Sequence, residues 1–352
     1  GRAVMVVLRN YEPGDLVQIS RLRAAVYSRH DDERLEWHAS VWHWLESHPL
    51  APEHLHRWVL ADGDRVVGFL GAVPQYYRIR GKRVVAHTPT DYMVDPAYGF
   101  HAVSLMRAFF RNVENCVSVD WLPSVIRVQT WLGATQVTHL RYAAKILTTA
   151  KLPVSLPGPL DGGVNLALRA ADRLLTVGRK GVTVKVLDSF DERFDRFFES
   201  LTVRIACLAE KDAAFLQWRY GPSSPQPAGP LLGAFEGDEL VGYAVLRVTA
   251  TDRSGYIMDL TALPGRHDVA AALLRASIWH LREMGAHLIR YRFLLSSLAP
   301  LPRDLWRLGF FTRKQTHTLQ VKFADPEFQL VATNPLSWAY SAGDGELSFW
   351  VE

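Results

Sequence analysis

The chain has 352 residues, of which 48% are hydrophobic and 22% charged, with a formal net charge of +4. That balance excludes a disordered or low-complexity chain, and no apolar run approaches the roughly 20 residues that a membrane helix needs. The length exceeds one ordinary domain. The basic residues, eight Lys and 32 Arg, are scattered along the sequence, so the small positive excess does not by itself argue for nucleic acid. Cys116 and Cys207 lie far apart in apolar stretches, which predicts two buried, reduced thiols rather than a disulfide. The opening Gly1-Arg2-Ala3-Val4-Met5 has neither the charged start nor the apolar core of a signal peptide, so a cytoplasmic protein is expected.

In chain order, Val6 to Arg9 reads as a strand, and Asp15 as a cap for a helix through Ile19, Leu22 and Val26. Arg57–Ala61 and Arg65–Val73 read as strands joined at Asp62-Gly63, and a second hairpin turns at Arg80-Gly81-Lys82. A strand ends near Pro96. A helix carrying Leu105, Met106, Phe109 and Phe110 follows, then a strand Cys116–Val119 and a Trp131-Leu132-Gly133 turn. Residues 152–163, rich in Pro and Gly, read as a linker before an amphipathic helix of about Val164–Val177.

The same plan then repeats. Val182–Val186 predicts a strand, and Asp188 or Ser189 caps a helix through Phe190, Phe194, Phe197 and Phe198. Leu231–Phe235 and Glu239–Val248 predict a hairpin across Glu236-Gly237, with a further turn at Asp252–Gly255. A strand ends near Pro264, a helix carries Leu273, Leu274, Ile278 and Leu281, and a strand His287–Tyr291 precedes Trp306-Arg307-Leu308-Gly309. Leu347–Val351 reads as a last strand. Trp42-x-Trp44 with Pro49 recurs as Trp218-x-Tyr220 with Pro225 at an offset of 176, and Gly63-Asp64 recurs as Gly237-Asp238 at 174. Asp91 with Pro96 recurs as Asp259 with Pro264 at 168. Trp131-Leu132-Gly133-Ala134 is answered by Trp306-Arg307-Leu308-Gly309-Phe310. Four matches in one order with drifting offsets indicate one fold used twice, with loops absorbing the drift. The expected organisation is a first domain over 1–150, a linker and connecting helix over 151–180, and a second domain with a C-terminal extension over 181–352.

This order of elements resembles the GNAT superfamily of N-acyltransferases, in a tandem bacterial arrangement. The residues that carry the resemblance are Gly63-Asp64-x-Val66-Val67-Gly68, Tyr92 through Gly99, and Leu132-Gly133-Ala134 in the first half. Gly237–Tyr243, Asp259–Pro264 and Leu308-Gly309-Phe310 carry it in the second. The resemblance implies an α/β (α+β) fold of two GNAT-like domains, each a mixed, mostly antiparallel sheet flanked by helices. It implies acetyl-CoA or another acyl-CoA as co-substrate, and direct acyl transfer to the amine of a small-molecule acceptor. Under it, Met93 and Val94 meet the acyl-pantetheine by their backbone. Tyr98, Gly99, Phe100, His101 and Ala102 face the pyrophosphate, where unsatisfied helix N–H groups and the helix dipole favour an anion. Asp91 is the candidate base or the holder of its water, and Tyr92 and His101 are the other catalytic candidates.

The turn departs from the family pattern. Its Arg is absent, His101 stands at the second Gly, and Leu105 comes only nine residues after Pro96. The family's Tyr acid, four residues before the late Gly, is Gln129 in one half and Leu305 in the other. Asp91 and Asp259 also fit a structural carboxylate, Tyr92 and Tyr98 fit packing, and Trp42, Trp44, Trp218 and Tyr220 fit a core wedge as well as a substrate platform. His38, His43 and His48 are five apart, rotated about 140° from one another on a helix, so no metal site is expected. The alternatives are a Fem-type transferase using aminoacyl-tRNA, which demands a contiguous basic face, and a binding protein that has kept the fold without the chemistry. No membrane partner is expected.

Overall fold

The computed structural model of the chain describes residues 5–27, 32–178, 180–227 and 229–351. The first run of elements is β1 (Val6–Asn10), α1 (Leu16–Val26), α2 (Asp32–Glu46), β2 (His56–Asp62), β3 (Arg65–Ile79), β4 (Lys82–Val94) and α3 (Ala102–Asn112). It continues through β5 (Cys116–Asp120), α4 (Pro123–Trp131), β6 (Thr135–His139), β7 (Arg141–Ile146) and α5 (Gly158–Leu175). The second run is β8 (Thr183–Leu187), α6 (Glu192–Thr202), β9 (Cys207–Ala209), α7 (Ala213–Tyr220), β10 (Leu231–Glu236), β11 (Glu239–Val248), β12 (Ser254–Ala262) and α8 (His267–Glu283). It closes with β13 (Leu288–Phe293), α9 (Pro302–Arg307), β14 (Phe311–Thr312), β15 (Thr318–Lys322) and α10 (Pro326–Ala332). No helix among the described residues is long and apolar enough to cross a membrane.

Two mostly antiparallel sheets result, with strand orders β1-β2-β3-β4-β5-β15-β6 and β14-β7-β13-β12-β11-β10-β8. Each holds a parallel pair, β4 with β5 and β12 with β13. The internal repeat shows in detail. Gly63 and Gly237 both turn their hairpins at φ 58°, where a side chain is disfavoured. Both hairpins carry a register shift, between Leu60/Ala61 and between Ala234/Phe235.

The two compact units interleave along the sequence. One comprises residues 1–77, 83–138 and 318–333, and the other 78–82, 139–317 and 334–352. The expected division at 150 and 181 is therefore replaced by a reciprocal strand exchange. β15 lies between β5 and β6 in the first unit, and β7 lies between β13 and β14 in the second. The exchanged strands carry matching lysines. In the first unit Lys322 Nζ donates to the carbonyl of Leu132 at 3.2 Å. In the second, Lys145 pairs with Asp172 of α5 at 2.8 Å, and Arg282 of α8 binds the same carboxylate. These contacts tie β7 to the helices that cover its sheet.

Burial follows the pattern of the sequence. In the first unit Leu105, Met106 and Phe109 of α3 pack on Trp58, Leu60, Val67 and Leu70. In the second, Leu273, Leu274, Ile278 and Leu281 of α8 do the same against Leu246, Ile257 and Ile289. Cys116 and Cys207 are free and buried, as expected.

Several local expectations change. The helix expected from Phe190 starts at Glu192, because the Asp191 side chain accepts from the Arg193 N–H and caps it. α5 begins at Gly158 rather than Val164, with Asp161 and Asn165 both bonded to Thr149, so the Gly162-Gly163 pair is helical. Asp15 directs its carboxylate to Arg9 and to the Glu12 N–H, and so does not cap α1. The expected last strand is a 3-10 turn, Glu346–Trp350, because Gln226 takes the carbonyls of Phe349 and Val351 at 2.6 and 2.7 Å.

Candidate active site

In the first unit β4 leaves its parallel partner β5 after the single pair His87–Cys116, so the two strands diverge toward Val94. On the diverging part sits Asp91, a buried carboxylate whose backbone is left-handed at φ 59°. Non-glycine residues in that region cost free energy and cluster at functional sites. Arg23 of α1 forms an ion pair with one carboxylate oxygen. His38 Nε2 lies 2.7 Å from the other, and Trp42 Nε1 donates to it at 3.0 Å. Burial alone would raise the Asp91 carboxyl, but the Arg23 charge and the His38 and Trp42 donors outweigh it and hold it well below the usual carboxylate range.

Asp91 is therefore ionised at neutral pH and too weak a base to take a proton from an amine. Its ionised form fixes the proton of His38 on Nε2. Nδ1 is left to accept from Ser20 Oγ at 2.7 Å. The result is a buried line Ser20–His38–Asp91. Trp42 is itself fully buried, and a Cβ at Gly71 would stand 2.2 Å from its ring, so only glycine fits beneath it on β3. The core reading of Trp42 holds, with the added task of orienting the carboxylate.

The segment after β4 is a 3-10 helix, Pro96–His101, running into α3. Asp95 caps it through the Ala97 N–H at 3.0 Å and pairs with Arg65 at 2.5 Å. Tyr98 donates to Asp62 at 2.6 Å, which ties the turn to the β2–β3 hairpin. Gly99 and Phe100 are exposed, His101 is partly buried with its ring 4.4 Å from that of Phe100, and Ala102 opens α3. Tyr92 donates to the Ala102 carbonyl at 2.7 Å, and burial pushes its phenol above the usual value. Tyr92 thus joins β4 to α3 and is a poor acid at neutral pH. Met93 is buried beside it, and Val94 is partly buried at the strand end.

Gln129, on α4, is fully buried, and both polar atoms of its side chain lack a hydrogen-bond partner. Gln320 of β15 is fully buried too. Its Nε2 donates to Ile126 and Thr130, and its Oε1 has no partner. Buried amides without partners are rare, because each costs about 1–3 kcal/mol, so this part of the first unit has donors and acceptors to spare.

The second unit is built differently at the matching places. β12 and β13 pair from Ser254–Leu288 to Ile257–Tyr291 and then diverge, but the gap is filled. The Ala262 N–H donates to the Leu298 carbonyl at 3.0 Å, the Leu294 N–H to Tyr340 at 2.8 Å, and Phe293 bridges Ser341. Asp259 is locked by Lys211 at 3.1 Å, Tyr243 at 2.8 Å, Thr261 at 2.7 Å and Ser341 at 3.2 Å. Lys211 also pairs with Asp344 at 3.3 Å. Leu305 replaces the buried amide of Gln129. Among the described residues no loop carbonyl closes on the N–H of Val94, the counterpart of Ala262.

Asp91, Tyr92 and the turn are legible in the sequence, and the structure adds Arg23 and His38 on Asp91 and Ser20 on His38. Arg23 and Ser20 carried no motif. His38 had been weighed only as a metal ligand. Among the described residues no three His, Cys, Asp or Glu side chains group as metal ligands. His48 and His87 are held neutral by burial, at about 3 and about 4.

No protein-family model matches the sequence, and no curated protein matches it. Solved structures do resemble it. N-myristoyltransferase of Saccharomyces cerevisiae with bound myristoyl-CoA superposes with a TM-score of 0.60 at 13% identity, over 91% of this chain and 83% of that one. A GCN5-related N-acetyltransferase from Anabaena variabilis gives 0.59 at 11%, over 93% and 75%. Another from Kribbella flavida gives 0.57 at 16%, over 93% and 74%. Across nine-tenths of its length, the chain has the fold of the GCN5-related N-acetyltransferases.

Proposed function

We propose that the protein is an acyl-CoA-dependent N-acyltransferase that binds its cofactor in the first unit. The observation that carries this reading is the asymmetry of the two strand divergences. The one in the second unit is filled by residues 294–299 and 338–341, and among the described residues no loop carbonyl closes on the Val94 N–H in the first. The backbone of Met93 and Val94 meets the thioester and pantetheine, and the turn from Tyr98 through Gly99, Phe100 and His101 to Ala102 faces the phosphates. The acceptor amine attacks the thioester carbonyl, the C–S bond breaks to release CoA as its thiolate, and the amine proton passes to His38 through Ser20, with Asp91 stabilising the imidazolium. Gln129 supplies an amide donor at the position where the family resemblance expects a Tyr.

Thermal unfolding in the presence of acetyl-CoA, longer acyl-CoAs and free CoA tests the reading. A ligand at a hundred times its Kd adds about 2.7 kcal/mol of stability. A rise with at least one acyl-CoA is expected. No rise with any of them would sink this function and return the fold to the aminoacyl-tRNA or non-catalytic readings.

A further inference from the structure

The face of the second sheet opposite α8 carries a row of cations. Arg247 of β11 stands opposite Tyr256 of β12, which is in register with Arg290 of β13. Arg292 is two residues along the same strand, opposite Tyr142 of β7. These side chains share one face, because paired residues across strands project to the same side. Arg313 joins them, its guanidinium 5.9 Å from the Tyr142 ring, and the Arg292 guanidinium lies over that ring at 3.9 Å.

Four guanidinium groups are thus gathered around two tyrosines, three of them half-buried. No carboxylate pairs with any of them among the described residues. Arg290 donates to the Tyr142 hydroxyl at 2.7 Å and approaches Ser254 at 3.5 Å. Among the described residues the guanidiniums of Arg247, Arg292 and Arg313 make no hydrogen bond, and the Nε atoms of Arg247 and Arg292 are buried without an acceptor. Asp252, the carboxylate that acts on Arg290, is already engaged by Thr249, Ser254 and Lys151. His317, adjoining Arg292, is held neutral by burial first and by that charge second, so it adds no further positive charge.

Half-buried cations are normally paired, because desolvation without a counter-charge is unfavourable. Here the protein supplies a cation fork and withholds the anion. Guanidinium groups match phosphate oxygens through parallel N–H donors. One carboxylate would leave most of this charge unmatched, whereas a terminal diphosphate would balance most of it and a diphosphate diester half of it.

We propose that this face of the second unit is a binding site for the diphosphate group of a small molecule. The source of that group is either a free phosphorylated metabolite or the diphosphate of the acyl-CoA itself. The site is independent of the assignment of the cofactor to the first unit, and the experiment keeps the two apart. Unfolding temperature is measured with inorganic pyrophosphate, with sodium chloride at matched ionic strength, and with acetyl-CoA, for the wild type and for an Arg247→Gln/Arg292→Gln variant. Pyrophosphate is expected to raise the wild-type transition saturably beyond chloride, and the variant to lose that rise. Without ligand the variant is expected to unfold no lower than the wild type, since it has shed unmatched charge.

A pyrophosphate rise equal to that of chloride, or one retained in full by the variant, overturns the proposal. So does a ligand-free variant that unfolds well below the wild type, since the arginines would then be structural. If the variant loses the pyrophosphate rise and keeps the acetyl-CoA rise, the site takes a separate phosphorylated ligand. If it loses both, the site stands as the cofactor's own, and the assignment of acyl-CoA to the first unit falls. If acetyl-CoA never shifts either protein, the transferase reading fails while the anion site stands on its pyrophosphate result.

Discussion

Replacing Asp91 with Asn tests the electrostatics of the first unit. The amide keeps the size of the side chain but removes the charge that Arg23 faces, and it offers one acceptor oxygen where the carboxylate offers two. Breaking a buried pair by removing one partner costs about 3–5 kcal/mol, a large share of a typical 5–15 kcal/mol of total stability. For a unit of this size each kcal/mol moves the transition by roughly 2–4 °C, so Asp91→Asn should lower it by roughly 6–20 °C. Circular dichroism melts at several pH values read both the size and the sign. The native carboxyl is held below its unfolded value, so its contribution is complete above about pH 4 and is lost as pH falls through the native value. The gap between wild type and variant should hold steady from pH 7 to pH 5 and narrow in stronger acid. A variant within about 1 kcal/mol of wild type at pH 7, or a gap that widens on acidification, would refute an ionised, paired Asp91.

Three other outcomes follow from the same contacts. His38→Gln should lower kcat by roughly 10²–10⁴ while leaving the thermal shift with acyl-CoA intact, and a loss of that shift would make His38 a binding or folding residue instead. Burial raises the Asp344 carboxyl to about 6, above its unfolded value, so stability falls as pH rises from about 4 to about 6. Lys211 keeps its pairing with Asp259 when Asp344 is neutral, so Asp344→Asn should gain on wild type at pH 7 in thermal melts, with the gain vanishing near pH 4; a constant difference would contradict the assignment. Burial also pushes the thiol of Cys116 up strongly and that of Cys207 up to about 12, so neither should react with iodoacetamide at pH 8 until the protein is unfolded, by mass spectrometry of the intact chain.

The duplicated plan was legible because its punctuation is local. A Gly-Asp hairpin turn, a Pro after a strand and a Leu-Gly turn act through backbone conformation, and each recurred in order. The exchange of β7 and β15 was not legible. Both strands are buried over most of their length and both place a lysine against a left-handed glycine, Lys145 at Gly309 and Lys322 at Gly133, so nothing local assigns either to its sheet. The site was half legible. Asp91 stood out by its repetition at Asp259, yet the repetition concealed the difference between them. One carboxylate holds a histidine and the other holds a lysine, a distinction set by α1 and α2 on one side and by residues 211, 341 and 344 on the other. The tail read as a strand because its aromatic pattern is strand-like, and Gln226 at a sequence distance of 123 to 125 decided otherwise.

The central claim is that one divergence is open to acyl-CoA and the other is filled by the chain itself. Amide hydrogen exchange by mass spectrometry, with and without saturating acyl-CoA, tests it directly. The account predicts new protection in peptides covering residues 91–105 and none in those covering 259–268 and 294–299. Protection confined to the second set, or spread equally over both, would contradict it.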